Sequence, residues 1–402
     1  MTWEELAPAL GAVVVFRNVV QQPPMAALRN FLMLSAQSSV AERAELYGAF
    51  VSALFERSCS LSTYLKTALA EDENPYVVAL ANGKTPPPVL EECAQHELEL
   101  FSSLTHLDPA ELAQRVRYEG WLPRFENTPM DLRSEYAARD VQRCGYGIFA
   151  NNIMFRLEDG RIVPVRGADP ISIDELTGYE FERRQVIDNT RALLAGRPAA
   201  NILLCGSAGT GKSSTVKATV NLLASEGLRL VELRKEQLLQ LPTVLSQLAH
   251  NPLKFIIFID DLSFQQNDDS FGTLKAILEG STAARGANTV LYATSNRRHL
   301  VRETFSDRDG DEVHRDDTMQ ELLSLSDRFG LTVHFYRPDK ALYLRIVHEL
   351  AREKGVTMAE DELEQRAETY ALRRGGRSPR TAAQFTDSLL AGEERERTHA
   401  DT

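Results

Sequence analysis

The stretch Gly206-Ser207-Ala208-Gly209-Thr210-Gly211-Lys212-Ser213 fits the phosphate-loop pattern G-x-x-x-x-G-K-[ST] at every position. It follows a short apolar run, residues 201–205, and precedes apolar residues at helical spacing from Ser214 to Leu223. Glycines let backbone N–H groups approach phosphate oxygens, and a helix N-terminus adds partial positive charge. These eight residues and Ser214 therefore predict a nucleotide phosphate site, in which Lys212 reaches the β- and γ-phosphates and Ser213 binds Mg²⁺.

The composition is that of a soluble globular chain, with 43% hydrophobic and 25% charged residues among 402. That length predicts two or three domains. The net charge of -12 argues against a broad surface for nucleic acid or membrane, but it leaves room for a local basic patch. The four cysteines form no C-x-x-C pair, and the first residues lack the basic start of a signal peptide. We therefore expect a cytoplasmic protein with reduced thiols and no membrane segment.

Changes in periodicity divide the chain into four predicted segments. Residues 1–144 carry apolar residues mostly at helical spacing and no recognisable catalytic motif, which indicates a helical accessory domain. Residues 145–168 are typical of a β-hairpin and predict a joint. Residues 169–337 alternate strands with helices and form the predicted nucleotide-binding core, and residues 338–402 form a predicted helical lid.

Within the first segment, Tyr118, Trp121 and Phe125 form a cluster of aromatic residues. We interpret this cluster as part of a hydrophobic core rather than as a ligand cage. The segment as a whole is interpreted as a partner-binding domain, and its sequence does not identify the partner.

Two acidic residues follow a second apolar run, Lys254–Ile259, whose lack of alternation predicts a strand buried on both faces. They stand where open α/β sheets place their ligands. We expect Asp260 to hold Mg²⁺, directly or through water, and Asp261 to act as a general base on the attacking water. A third buried run, residues 288–295, ends at Asn296, whose amide can orient water beside the γ-phosphate. The alternatives are a solvated acidic turn and an asparagine that caps a turn.

The order of these motifs resembles the AAA+ ATPases over about residues 169–390. The stretch Leu325-Ser326-Asp327-Arg328-Phe329-Gly330 looks like the arginine-finger region of Holliday-junction branch-migration motors, and Ser378-Pro379-Arg380-Thr381-Ala382 looks like their sensor 2 helix. Residues 259–264, 293–300 and 324–331 are more closely similar to an uncharacterised bacterial family of ATP-binding AAA+ proteins. The resemblance implies an α/β fold: a P-loop parallel sheet with helices on both faces, a C-terminal helical lid, and here a mostly α-helical N-terminal domain.

The resemblance also implies roles for single residues. Asp260 becomes the Walker B metal residue and Asn296 becomes sensor 1. Arg328 becomes an arginine finger that enters a neighbouring subunit's site, although a salt bridge or strand cap within its own subunit is the alternative. Arg380 becomes sensor 2, which reports the γ-phosphate to the lid, and Arg377 competes with it for that role.

Two positions leave alternatives open. Gly178 and Tyr179 lie where an approach segment often contributes to an adenine pocket, but an ordinary turn with a packed aromatic ring explains them equally well. Most AAA+ motors have Glu after the Walker B Asp, whereas this chain has Asp261. The shorter side chain would hold water differently, so a slow switch competes with a fast motor.

The function implied by these observations is hydrolysis of ATP to ADP and phosphate with Mg²⁺. The resemblance implies sites at subunit interfaces of a homo-oligomer, by analogy a ring, which remodels or loads a protein or nucleic acid through the N-terminal domain. The alternative is a slow or non-hydrolysing ATP-dependent switch. A small-molecule kinase is a third possibility, but it needs neither the C-terminal lid nor Arg328.

Overall fold

The structure is a computed structural model. It describes residues 3–35, 37–167, 170–262, 269–278, 287–296 and 328–400. Parts of the family-like stretches, residues 263–264, 297–300 and 324–327, lie outside the described residues. The chain divides into two compact units, Met1–Asn152 and Ile153–Thr402. The finer predicted division into four segments stays a prediction.

The first unit is helical, as its periodicity predicted. Its described helices are α1 (Trp3–Ala12), α2 (Arg17–Gln21), α3 (Pro23–Leu32), α4 (Val40–Phe55), α5 (Leu61–Glu71), α6 (Pro75–Ala81), α7 (Pro88–Leu104), α8 (Pro109–Gln114), α9 (Leu132–Ala137) and α10 (Val141–Cys144). Asp108 caps α8 by accepting the Ala110 N–H at 2.7 Å, and Pro109 occupies the first turn. The apolar faces of these helices enclose one continuous core.

The aromatic cluster of this unit does not behave as predicted. Phe125 is buried, and its ring packs edge-on against Phe50 with centroids 5.2 Å apart. Tyr118 and Trp121 are 53% and 83% exposed. The prediction of a shared core is wrong for these two, because residues 117–124 lie outside the helices and only Phe125 turns inward.

The second unit contains a seven-stranded sheet. Its strands are β1 (Met154–Glu158), β2 (Arg161–Pro164), β3 (Ile202–Gly206), β4 (Leu228–Leu233), β5 (Lys254–Ile259), β6 (Thr289–Ser295) and β7 (Leu331–Phe335). The order across the sheet is β2-β1-β4-β5-β6-β3-β7. Among the described strands, only β1 and β2 pair antiparallel, and β1 then pairs parallel with β4. The predicted hairpin is therefore formed, and it extends one edge of the sheet.

In the part of this unit that the structure describes, four α-helices accompany the strands, at α11 (Glu180–Leu194), α12 (Lys212–Leu223), α13 (Leu241–Leu248) and α14 (Asp269–Leu278). Every residue of β6 is buried, so both faces of the sheet are covered at its centre. The register pairs Cys205 with Ser295 and Ile259 with Ala293. Because these strands are parallel, the carboxyl ends of β3, β5 and β6 meet at one edge.

The C-terminal helices are α15 (Lys340–Glu353), α16 (Glu360–Arg373) and α17 (Pro379–Ala400). They enclose a small core of their own around Tyr343 and Phe385. Asp339 caps α15 and Ser378 caps α17. The sheet, its flanking helices, this helical body and the helical first unit confirm the predicted α/β fold class. No helix in the described part of the chain has the length and apolar character needed to cross a membrane.

Candidate nucleotide site

The phosphate loop joins β3 to α12. Gly206 lies so close to β7 that a Cβ atom on it would sit 1.9 Å from the Phe335 carbonyl oxygen, which no side chain can satisfy. Thr210 donates to the Ser207 carbonyl at 2.9 Å and thereby closes the loop, while Ala208 is exposed at its tip. Gly211, in the left-handed region at φ 91°, precedes the first residue of α12.

Lys212 is buried, and its ammonium group makes three hydrogen bonds. It donates at 2.9 Å to the carbonyls of Gly206 and Ser207 and to Asn296 Oδ1. Burial lowers the pKa of Lys212 from its ordinary value, while the carboxylates of Asp260 and Asp261 act in the opposite direction. The lysine is therefore held inside the loop, at the N-terminus of α12, where phosphate oxygens are stabilised.

Asp260 lies at the carboxyl end of β5 and accepts two short hydrogen bonds through Oδ1. One comes from the Ser213 hydroxyl at 2.6 Å and the other from the Thr294 hydroxyl at 2.5 Å. A hydroxyl and a carboxylate held together are a donor set that suits Mg²⁺, which retains waters and takes phosphate oxygens as its other ligands. Among the described residues, no group of three or more His, Cys, Asp or Glu side chains could hold a metal ion. The predicted pair of Ser213 and Asp260 thus fits Mg²⁺ bound together with a nucleotide.

Asp261 is exposed and has a left-handed backbone, with φ 54°. Its N–H donates to the Thr294 hydroxyl at 2.9 Å, and its Oδ1 accepts from the Asn296 amide at 2.7 Å. Asn296 therefore bridges Asp261 and Lys212, since its own Oδ1 accepts from the lysine. The structure brings the predicted base, the predicted sensor and the phosphate-loop lysine into one network.

The lid contacts the phosphate loop through the first turn of α17. The Arg380 N–H donates to the Gly209 carbonyl at 3.2 Å, and a Cβ on Gly209 would be 3.0 Å from the Arg380 Cβ. Arg377, the competing arginine, instead forms a salt bridge with Glu368 of the lid at 2.6 Å. Of the two arginines, Arg380 is the one placed beside the phosphates' expected position.

A cavity of about 230 Å³ opens between the lid and the loop. Its walls are formed by Glu175, Leu176, Thr177, Tyr179, Arg183, Gly209, Thr210, Gly211, Ser214, Thr215, Phe335, Ile346, Leu350, Pro379, Arg380 and Ala383. Tyr179 is also a packed aromatic, since its ring lies 5.3 Å from that of Phe335 and its hydroxyl donates to the Tyr336 carbonyl. Burial raises the pKa of Tyr179 to about 12. Gly178 lies against Leu342 and Ile346.

Arg328 is not brought to this site. It precedes β7, whose first residue Leu331 pairs with Ile202 and whose last residue Phe335 pairs with Gly206. The phosphate loop begins at Gly206, so the length of β7 separates Arg328 from the loop of its own chain.

These features can now be compared with known proteins. The sequence profile of a family described as "protein of unknown function (DUF815)" matches residues 150–393, more than half of the chain. The chain belongs to the DUF815 family. No curated protein matches the chain significantly. In this DUF815 protein, the mostly parallel sheet, the loop after β3, the acidic pair after β5 and the helical C-terminal body belong to one α/β unit.

Solved structures of RuvB from Thermotoga maritima are similar to part of this chain at a low level. The RuvB Holliday junction branch migration motor is 18% identical, with a TM-score of 0.37, and the match covers 54% of this chain. A variant of the same motor with one arginine replaced by alanine is 17% identical, with a TM-score of 0.36, and this match also covers 54% of this chain. The chain spans 63% of the length of both.

Two residues of the candidate site in this DUF815 protein, Thr294 and Arg183, were not predicted from the sequence. Thr294 is 2% exposed and binds both acidic residues, a role that depends on how β6 lies beside β5. Arg183 lines the cavity, and burial lowers its pKa. An arginine-rich segment after Tyr179 was visible in the sequence, but nothing in it distinguished Arg183 from its neighbours.

Replacing Thr294 with valine is expected to lower the free energy of unfolding of the second unit by about 1–3 kcal/mol, because the Asp261 N–H loses its acceptor. Valine keeps the shape of the side chain, so no cavity is created. Urea unfolding measures the change, and Thr294→Ser, which keeps the hydroxyl, is the matched control. Equal stability of the valine variant and the wild type would show that the two hydrogen bonds do not stabilise the strand ends.

Proposed function

We propose that this DUF815 protein binds ATP together with Mg²⁺ and hydrolyses it to ADP and phosphate. The observation that supports the proposal is the convergence of Lys212, Ser213, Asp260, Asp261 and Asn296 on one phosphate loop, joined by hydrogen bonds of 2.6 to 2.9 Å. These groups come from three different strand ends. A structural network alone would not need an ammonium group, a hydroxyl and two carboxylates beside a helix N-terminus.

Each residue has a separate task in this proposal. Lys212 exchanges its loop carbonyls for phosphate oxygens, and Ser213 and Asp260 hold Mg²⁺, which would neutralise charge on the phosphates. Asp261 accepts the proton of the attacking water, and Asn296 orients that water. Arg380, on the lid side of Gly209, binds the γ-phosphate. The cavity lined by Tyr179 takes the base.

The position of Arg328 supports a site completed by a second copy of the chain. Because Arg328 lies at the far end of β7 from its own loop, it can act as a finger only toward a neighbouring subunit. We therefore propose a homo-oligomer in the cytoplasm, whose first unit engages a protein or nucleic-acid partner that ATP turnover remodels or loads.

One observation favours a second candidate, a slow ATP-dependent switch. Asn296 donates to Asp261 and accepts from Lys212, so the proposed base is linked to the lysine through Asn296. Lys212 must give up its hydrogen bond to Asn296 when it binds phosphate. Asp261 is also one methylene shorter than the Glu of most AAA+ motors. Steady-state phosphate release per subunit, measured across a wide range of protein concentration, separates the candidates. A rate that rises with concentration supports the ATPase, and a flat rate near zero with tight ATP binding supports the switch.

Lys212→Ala is expected to weaken ATP binding by about 10- to 150-fold, because it removes a charge-assisted bond of about 1.5–3 kcal/mol to the phosphates. A fluorescent ATP analogue titrated with Mg²⁺ measures the affinity. Lys217→Ala is the matched control, since Lys217 lies on the same helix and pairs with Glu232 at 3.5 Å. Unchanged affinity of the Lys212 variant would remove the loop as the nucleotide site.

A further inference from the structure

The segment of residues 115–124 in the first unit, here the Trp121 loop, is fixed at both ends. The Arg43 guanidinium donates to the Arg115 carbonyl at 3.2 Å, and the Tyr47 hydroxyl donates to the Pro123 carbonyl at 2.7 Å. Both donors belong to α4, and both side chains are buried. Hydrogen bonds to α4 therefore fix both ends of the loop. Binding of a ligand would not incur the entropy cost of ordering these ends.

Two aromatic side chains project from this base. Trp121 is 83% exposed and Tyr118 is 53% exposed, whereas Phe125, just beyond the loop, is buried. The Tyr118 ring lies over the backbone of Gly120, where an added Cβ would be 2.3 Å from the ring. A large aromatic side chain buries about 150–250 Å² of surface when a partner covers it. Two such side chains exposed to solvent on a fixed loop therefore indicate a contact surface.

The loop that carries the rings has a net positive charge in its sequence. Arg117 and Arg124 are exposed and flank the two aromatic residues in sequence, and Glu119 is the acidic residue among positions 117–124. This contrasts with the whole chain, whose net charge is -12. A ligand that fits must present planar faces to the rings and negative charge to the arginines.

Single-stranded nucleic acid has this chemistry. Its bases offer faces for stacking, and each nucleotide carries a phosphate for a nearby arginine. A duplex hides its base faces, and an acidic peptide supplies charge without regularly spaced planar groups. We propose that the Trp121 loop binds single-stranded nucleic acid, with bases stacked on Trp121 and Tyr118 and phosphates paired with Arg117 and Arg124. Single-stranded nucleic acid would then be the partner in the proposed function, and its role as that partner rests on the proposed function. The binding step itself requires no ATP.

The test uses the full chain and an oligothymidylate of about 20 nucleotides, longer than a typical single-strand site. The chain has two tryptophans, so Trp3→Phe leaves Trp121 as the sole indole fluorophore. Its fluorescence is expected to be quenched to saturation as oligonucleotide is added. Two phosphate contacts predict an affinity about 7-fold weaker at 200 mM than at 50 mM salt.

Substitutions identify the surface. Anisotropy of a labelled oligonucleotide is expected to show binding about 5- to 150-fold weaker for Trp121→Ala and for Tyr118→Ala. Arg117→Ala and Arg124→Ala should each weaken binding and reduce the salt dependence. Matched controls in the same unit are Phe55→Ala, an aromatic that is 46% exposed, and Arg143→Ala, an exposed cation. Both controls should bind as the wild type does.

Three results would overturn the proposal. The first is no quenching up to about 0.1 mM oligonucleotide at low salt, the weak end of non-specific binding. The second is equal or tighter binding of a duplex of the same length, or of phosphatidylserine vesicles. The third is a loss of binding in the control variants as large as in Trp121→Ala. Lys212→Ala should bind the oligonucleotide normally, so failure of the nucleotide site and failure of the Trp121 loop give different results.

Discussion

Arg328→Ala is expected to lower the rate of ATP hydrolysis by about 10³- to 10⁵-fold, while each subunit keeps its affinity for ATP. The reason is geometric. Arg328 lies beyond the amino end of β7, and the phosphate loop lies beside the carboxyl end of that strand. Four residue steps of strand alone span about 13 Å, so the finger that we propose would act in a neighbour's site.

A mixing experiment tests this directly. Lys212→Ala subunits still present Arg328 but lack a working site, whereas Arg328→Ala subunits have the site but lack the finger. Mixing two inactive variants should therefore restore phosphate release, at junctions where a Lys212→Ala subunit supplies its arginine. Arg328→Lys, which keeps the charge but loses the planar fork, should recover little activity. No recovery on mixing, together with a lower melting temperature of Arg328→Ala, would assign Arg328 to the stability of its own subunit.

Asp261→Asn is expected to lower turnover by about 10²- to 10⁴-fold and to leave ATP binding unchanged, because an amide cannot accept the proton of the attacking water. The substitution suits this position. Asp261 has φ 54°, a conformation that asparagine tolerates well among residues with a side chain. The new amide oxygen can still accept from Asn296, so the network loses its charge and keeps its shape.

Phosphate release and ATP titration on the same preparation separate chemistry from binding. Asp361→Asn, which makes the same change on the exposed first turn of α16, controls for a general effect of charge. Wild-type turnover in Asp261→Asn would exclude Asp261 as the base. Loss of binding would show that the carboxylate acts on the nucleotide and not on water.

Much of the candidate nucleotide site was predictable because its residues lie close together in the sequence. Eight consecutive residues contain the phosphate loop, and Asp260 and Asp261 directly follow an apolar run that predicts a buried strand. The structure places these groups together, although their catalytic roles stay predictions. Thr294 was not predicted, because its two hydrogen bonds depend on the pairing of Ile259 with Ala293 across neighbouring strands.

The exposure of Trp121 and Tyr118 was unpredictable for a different reason. An aromatic residue contributes the same apolar area to a core as to a contact surface, and the sequence pattern around Trp121 has no period that assigns a face. The cavity beside the phosphate loop could not be predicted from the sequence either. It exists because α15 and α17 come from a separate small core, far along the chain from Gly209.

The hydrogen bond from the Arg380 N–H to the Gly209 carbonyl connects the last helix of the lid to the phosphate loop. α17 has 22 residues and is therefore about 33 Å long. The hydrogen bond is made by its first turn. The first turn of α17 lies against the phosphate loop. A tilt of about 10° at that turn would move the far end of the helix about 6 Å, given the rise of an α-helix. A small displacement of one peptide group of the loop would therefore be amplified at the far end of the helix.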